Sequence, residues 1–544
     1  MSATRVELVV TGRIVLSAGR TGLETADAIG IGAGRVLVAG DAPTVLQAAP
    51  GARALRFGDS VVVPGLHDFH LHLVGMARLR RELSLEGLRG DDLLAAVSGP
   101  AARLSGDAWL RGRGWAESAM DATVVEALNA RLAARPALLY SHDAHSAWAS
   151  PAALRRAGIA AGSGDPPGGR IERDAAGEPT GVLREAATDM VEAVAERLRG
   201  APLESALDEV VAQLAAWGVT GATDAGDTAA ENGTGRYAAL GDRASLLLAA
   251  ADRLDDRMRL AVGFPAGAVA EAGALGLRTG AQLAGRTTLR AGWAKAYADG
   301  ALGSRTAALF GPYTCPPFDT GILRLPPDQL DQLLSGADGA GIAVAVHAIG
   351  DRAAAAVLDA LERRSGVTGS GGRPPHRIEH LQLVRPEDGR RLARLGVTAS
   401  VQPVHCAADR EHVERCWADR AGMAYPWRSL SDSGARLAFG SDAPIETPNP
   451  WVGMFAAVHR RYPGDATADW RSDQALMPGE ALAGYTVGPA LAAGRPEEGH
   501  LRPGAVADLA VLDIGLEALL AADERLGEAR SVLTLVGGRE VHRA

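Results

Sequence analysis

The residues able to do chemistry in this 544-residue chain begin in VVVPGLHDFHLHLV (61–74), where His70 and His72 stand two apart after an apolar β-branched run. In an extended strand positions i and i+2 share a face, so both imidazoles can converge on one metal ion. Downstream, single polar residues interrupt apolar segments: Lys295 in LRAGWAKAYADG, His347 in GIAVAVHAIGD, His380 in HRIEHLQLV and Asp442 in ARLAFGSDAP. Each would be costly to bury alone, and a shared metal would supply the missing partner. Taken singly they have plain structural readings: a hydrogen-bonded core histidine at His347, a salt-bridged Lys295, a turn or helix cap at Asp442. Four histidines, a lysine and an aspartate at successive strand ends are hard to explain as six independent accidents.

The elements that must position them follow a regular alternation. Strand patterns at 219–226, 258–265, 289–300, 341–351, 376–384, 396–405 and 435–444 join the HxH strand to make eight. Helical patterns at 203–217, 328–340, 352–364 and 386–395 separate many of them. This predicts an α/β chain built on a (β/α)8 TIM barrel, a fold whose catalytic residues gather at the carboxyl ends of the strands. A doubly wound open sheet is the competitor, but no GxGxxG follows the first strand. Residues 1–64 and 495–544 are both β-rich and predict one small β-sandwich domain built from the two termini. The barrel then takes 65–494, with an insertion at about 75–200 over its mouth. From Leu93 to Arg199 that insertion reads as Ala-rich and helical, broken by RGRGWAES, LLYSHDAHSAWASPAAL and a Gly/Pro stretch. Residues 233–235 and the loop 312–327 read as mobile.

Composition bounds the function classes. With 47% hydrophobic and 22% charged residues the chain is globular, and no apolar run is long enough to cross a bilayer. The N-terminus alternates like a strand and lacks the features of a signal peptide, which predicts a cytoplasmic protein. Cys315, Cys406 and Cys416 form no CxxC pair and read as reduced, structural thiols. A net charge of −9 without a basic cluster excludes nucleic acid and anionic membrane as partners, leaving a small-molecule substrate. A homodimer is the default assembly.

The order HxH, Lys, His, His, Asp resembles the amidohydrolase superfamily. The stretches KAYADGALGSRTAAL, VHAIGDRA, HRIEHLQLV, SVQPVH and FGSDAPIETPNP resemble its amidohydrolase-3 branch, the N-substituted formamide deformylase-like metal-dependent hydrolases. The likeness runs over nearly the whole chain, including DPPGGRIERDAAGEPTGVLREAA and LRPGAVADLAVLD. It implies that His70, His72 and Asp442 bind the more buried metal, that His347 and His380 bind a second, and that Lys295 bridges them as a carbamate. Zinc, as one or two ions, suits such a His-rich site best. The implied reaction is hydrolysis of a non-peptide C–N bond in a small or N-substituted amide, with Asp442 moving the proton and His380 or a neighbour steadying the oxyanion. Trp115, His145, Arg305 and His405 are the candidates for substrate contact. A deaminase, a cyclic-amide hydrolase or an isomerase would use the same ligands, and a non-catalytic scaffold is the alternative that a complete ligand set disfavours. Two positions depart from the family pattern: His67, read as a surface or outer-layer histidine, and Ser150, where relatives often carry asparagine, read as altering pocket contacts.

Overall fold

A computed structural model describes residues 5–104, 106–195, 200–226, 240–283, 285–364 and 373–544. Eight parallel strands run in chain order around a barrel: β1 (Leu66–Leu71), β2 (Val219–Asp224), β3 (Arg259–Pro265), β4 (Leu289–Tyr297), β5 (Val344–Ala348), β6 (Arg377–His380), β7 (Thr398–Val401) and β8 (Arg436–Phe439). Helices cover them outside. Pro327–Ala340 starts with proline, buries Leu330, Leu334 and Ala337 along one stripe, and stops at Gly341, whose φ is +71°. Pro386–Leu395 repeats the plan, ending at Gly396. The ring closes at its upper rim: the Asp442 N–H donates to the His70 carbonyl (2.7 Å) and the His72 N–H to the Ala443 carbonyl (2.8 Å). Gly440 permits that approach, since a Cβ there would lie 2.4 Å from the His70 nitrogen.

The barrel floor is built around a charge. Phe69 and Trp293 meet edge to face at 5.3 Å, and the buried Arg377 guanidinium sits 4.5 Å and 4.6 Å from their ring centroids. Arg377 donates to the Phe69 carbonyl (2.8 Å) and pairs with Glu379 (2.6 Å), both side chains being out of solvent. His67 lies at this end of the barrel, half-buried and hydrogen-bonded to Thr223 (3.0 Å), with its proton affinity lowered to a pKa of about 3 by burial and by Arg495, Arg377 and Arg259. Of the surface and outer-layer readings expected from sequence, its partial burial and its bond to Thr223 leave the second.

The two termini meet in one seven-stranded sheet, in the order Arg539–Arg543, Ser531–Val536, Leu509–Gly515, Arg53–Pro64, Leu8–Gly19, Gly22–Gly32, Arg35–Gly40. The Val61–Val63 run belongs to this sheet and not to the barrel strand carrying the histidines. It shows no alternation because both its faces are buried: Val62 packs in the core of the terminal sheet, Val61 and Val63 in that of the barrel.

The insertion is not the helical segment read from sequence. It holds a six-stranded sheet, from Gly169–Arg173 through Pro179–Glu185, Ser146–Ala149, Ala137–Ser141 and Leu110–Trp115 to Leu83–Ser84, with an apolar core around Trp115 and Trp148. Strands of two to seven residues are too short to show a period among so many alanines. Helices Gly90–Arg103 and Ala122–Arg131 are present, but as covers on that sheet. Ser150 is fully buried there, accepting from the Ala153 and Ala137 N–H groups and donating to the Arg135 carbonyl, so it caps a helix and does not touch the cavity.

Cys315 and Cys416 form a disulfide across 101 residues, against the expectation of reduced thiols, while Cys406 is free and buried. Neither partner lies in a recognisable cysteine motif, so pairing is visible only once the fold brings them together. The bond fastens the loop 312–327, expected to be mobile, to the end of helix Pro403–Cys416. Residues 233–235 lie outside the described residues. Among the described residues no helix is long and apolar enough to cross a membrane.

Two stability predictions follow from this packing. Cys315→Ser, or reduction of the native protein, is expected to lower stability by roughly 2–4 kcal/mol because a long loop is released. Unfolding followed with and without reductant checks it: an unchanged midpoint on reduction contradicts the bond. Arg377→Leu leaves the buried Glu379 charge with His70 alone as partner and is expected to cost roughly 3–5 kcal/mol. Adding Glu379→Leu should recover part of that loss in the same unfolding measurement, and a single variant as stable as the native protein would refute the pairing.

Candidate active site

At the carboxyl ends of the strands the predicted residues come together. His70, last but one in β1, is fully buried, and its Nδ1–H donates to Glu379, which leaves the Nε2 lone pair facing inward. There Nε2 lies 3.4 Å from the Lys295 amine and 3.3 Å from Asp442 Oδ1. The His380 ring is 5.1 Å from that of His70 and 4.5 Å from that of His347. One ligand atom each from His70, His380 and Asp442 falls within 4.8 Å of the others. His72 and His347 flank this trio. His72 Nε2 is 3.1 Å from Asp442 Oδ1, and its Nδ1 accepts from Arg243 (3.1 Å), because a guanidinium can only donate. That contact puts the His72 proton on Nε2, shared with Asp442. His347 donates from Nε2 to the Gly300 carbonyl (3.1 Å), which leaves Nδ1 as its free nitrogen.

Local backbone explains why His380 and Asp442 face inward. Glu379 and His380 are consecutive in β6, so a regular strand would send them to opposite faces, yet both meet His70. His380 has φ +74° and Asp442 φ +59°, left-handed conformations that break the alternation and are costly for non-glycine residues. A second anchor comes from Asp68, whose Oδ1 accepts from the His70 and Ser441 N–H groups (3.1 and 3.0 Å) and so locks β1 to the loop after β8.

The electrostatics favour uncharged nitrogen donors. Burial lowers His72 to a pKa of about 4 and takes His347 and His380 well below the usual imidazole value. Burial also brings Lys295 down to about 8, against the opposing pull of Glu379 and Asp442. Asp442 is held well below the usual carboxylate range: burial opposes its charge, but His70 and His72 outweigh it. His70 keeps a raised pKa: burial and Lys295 oppose its charge, but Glu379 and Asp442 prevail. His380 Nδ1 is buried with no hydrogen-bond partner. Three imidazoles of lowered proton affinity, His72, His347 and His380, a His70 whose Nδ1–H is taken by Glu379, and an ionised Asp442 around one point are a donor set that fits a divalent cation.

These groups line a cavity of about 770 Å³ whose outer wall is the insertion. All four expected contact residues reach it. Trp115 is buried and donates from its indole to the Leu139 carbonyl (2.7 Å). His145 donates from Nδ1 to Glu185 (3.0 Å) and stands 5.4 Å, ring to ring, from His347. Glu185 raises His145 to a pKa of about 8 in spite of its burial. His405 stacks on His380 (5.9 Å, 8°), accepts from Gln382 at Nδ1 (3.2 Å), and turns an unpartnered Nε2 toward Asp442 Oδ2 at 3.7 Å. Arg305, at φ +58°, lies 3.7 Å from Glu117. Sequence reasoning missed Glu379, Glu185, Arg243 and Gln382. Glu379 sits inside the quoted HRIEHLQLV, and its signal was a glutamate in an otherwise apolar strand one residue before a site histidine.

Comparison with known proteins agrees with this geometry. A family described as the amidohydrolase family matches residues 58–542. The putative amidohydrolase YtcJ of Bacillus subtilis is 31% identical over 511 residues, 91% of each chain. N-substituted formamide deformylase of Arthrobacter pascens is 29% identical over 519 residues, 90% of each. An uncharacterised metal-dependent hydrolase of solved structure from Pyrococcus horikoshii superposes with a TM-score of 0.74 at 26% identity, covering 95% of this chain and 99% of its own. With a matching family over most of its length and a barrel whose rim gathers a metal-ligand set, the chain belongs to the amidohydrolase family.

Proposed function

We propose that this metal-dependent hydrolase cleaves a non-peptide C–N bond in a small N-substituted amide. The observation that carries the proposal is the convergence of His70, His380 and Asp442 beside a buried lysine whose proton affinity is lowered. The name of the Arthrobacter relative, a formamide deformylase, supports an amide over other C–N substrates. His70, His380 and Asp442 would hold a divalent cation, with zinc the best match to the donor set; His347 would offer its free Nδ1, and His72 could contribute only on giving up its Nε2 proton. When bound, the cation would polarise the amide carbonyl and lower the pKa of a water molecule.

The chain's own groups do the rest. Lys295, partly neutral near pH 8, can add its Nζ lone pair to carbon dioxide; an N–C bond forms, one proton leaves, and the lysine becomes an anionic oxygen donor. Asp442 has Oδ1 engaged by His70 and His72, so Oδ2 is the oxygen that takes the proton of the attacking water and passes it to the departing nitrogen. His145, aimed by Glu185, is protonated at neutral pH and donates from Nε2 to the carbonyl oxygen as it gains charge. Trp115 and the insertion form the outer wall against which the substrate would rest.

Elemental analysis of protein purified without chelator, in bicarbonate, should find one or two divalent ions per chain, reduced in Lys295→Ala. A panel of N-substituted formamides should be hydrolysed, and Asp442→Asn should lower kcat by about a hundredfold or more. Metal-free protein that regains no hydrolysis of any amide on adding zinc would refute the reading.

A further inference from the structure

Next to the main cavity, and sharing Arg305 and Arg415 with it, is a second pocket of about 460 Å³. Its walls come from four separate elements. Arg170 and Arg184 project from two insertion strands, Arg305 from the segment after β4, and Arg415 from the last turn of helix Pro403–Cys416, while residues 315–317 close one side. The disulfide fastens that side to the residue next to Arg415.

The charges in this pocket do not balance. Arg184 pairs with Glu117 (2.5 Å) and Glu172 (2.6 Å), and those same two carboxylates serve Arg305 (3.7 Å) and Arg170 (3.3 Å). Among the described residues Arg415 has no carboxylate within ion-pair distance and no hydrogen bond from its guanidinium. Four guanidiniums against two carboxylates leave a local positive excess in a chain of net charge −9. Planar guanidinium forks match the oxygens of carboxylates and phosphates, and their charge-assisted hydrogen bonds are about twice as strong as neutral ones.

We infer that this pocket receives an anionic end of the substrate, a carboxylate or phosphate group remote from the scissile amide, with Arg305 and Arg415 as the residues that select for it. The inference rests on the main cavity being the hydrolytic site, because Arg305 and Arg415 line both spaces and an anion held by them lies beside that cavity. It makes the substrate class an amide bearing a terminal anion and leaves neutral amides as poorer substrates.

The test is calorimetric titration of chelator-treated protein at low ionic strength with inorganic phosphate and, separately, succinate. At least one should bind saturably at one site; phosphate alone identifies a phosphate end, succinate alone a carboxylate end. Arg305→Gln/Arg415→Gln should weaken that binding by about tenfold or more, and Arg415→Gln alone, at an exposed position, by several-fold. Arg410→Gln, on the same helix but outside the pocket, should bind as the native protein does. No saturable binding of either anion, or undiminished binding by the double variant, would overturn the inference. Neither metal nor turnover enters the readout, so that failure would leave the hydrolase reading standing, and a failed hydrolase assay would leave the binding result unchanged.

Discussion

A fully buried carboxylate, Glu379, held between the Arg377 guanidinium and the His70 imidazole, is the contact on which the rest of the site depends. Burial opposes its charge, but Arg377 and His70 bring its pKa down to about 2, so it stays ionised. An ionised Glu379 requires a proton on His70 Nδ1, and that requirement turns the Nε2 lone pair toward Lys295 and Asp442. The guanidinium in turn is held over Phe69 and Trp293 and by the Phe69 carbonyl, so the position of one nitrogen at the rim is set by packing at the barrel floor. A buried ion pair of this kind contributes little net stability and much geometric definition.

Above that rigid column the rim is built from conformations that are locally unfavourable. His380, Asp442, Glu185 and Arg305 all have positive φ. Each carries a polar group aimed into the cavity, and each is held by neighbours that leave the backbone no alternative, such as the His70–Asp442 backbone bond or the ring of donors around Glu185. The barrel supplies fixed directions, and the departures from regular strand geometry point the chemistry inward.

The parts legible in sequence were those with a period or a local motif. All eight barrel strands and the four helices at 203–217, 328–340, 352–364 and 386–395 showed their apolar patterns, and the six rim residues stood out as polar interruptions of the strand patterns. What depended on pairing across the chain was not legible. Glu379 looked like any strand glutamate until Arg377 and His70 bracketed it. Cys315 and Cys416 are 101 residues apart, with no spacing rule to join them. The insertion hid its sheet because its strands are short and rich in alanine.

The most direct test of the account is anomalous X-ray diffraction from crystals of the zinc-loaded protein, recorded on both sides of the zinc absorption edge. The account predicts a strong peak among His70 Nε2, His380 and the Asp442 carboxylate, with Glu379 still bound to His70 Nδ1. No peak at that position, or one whose ligands exclude His70, would contradict it.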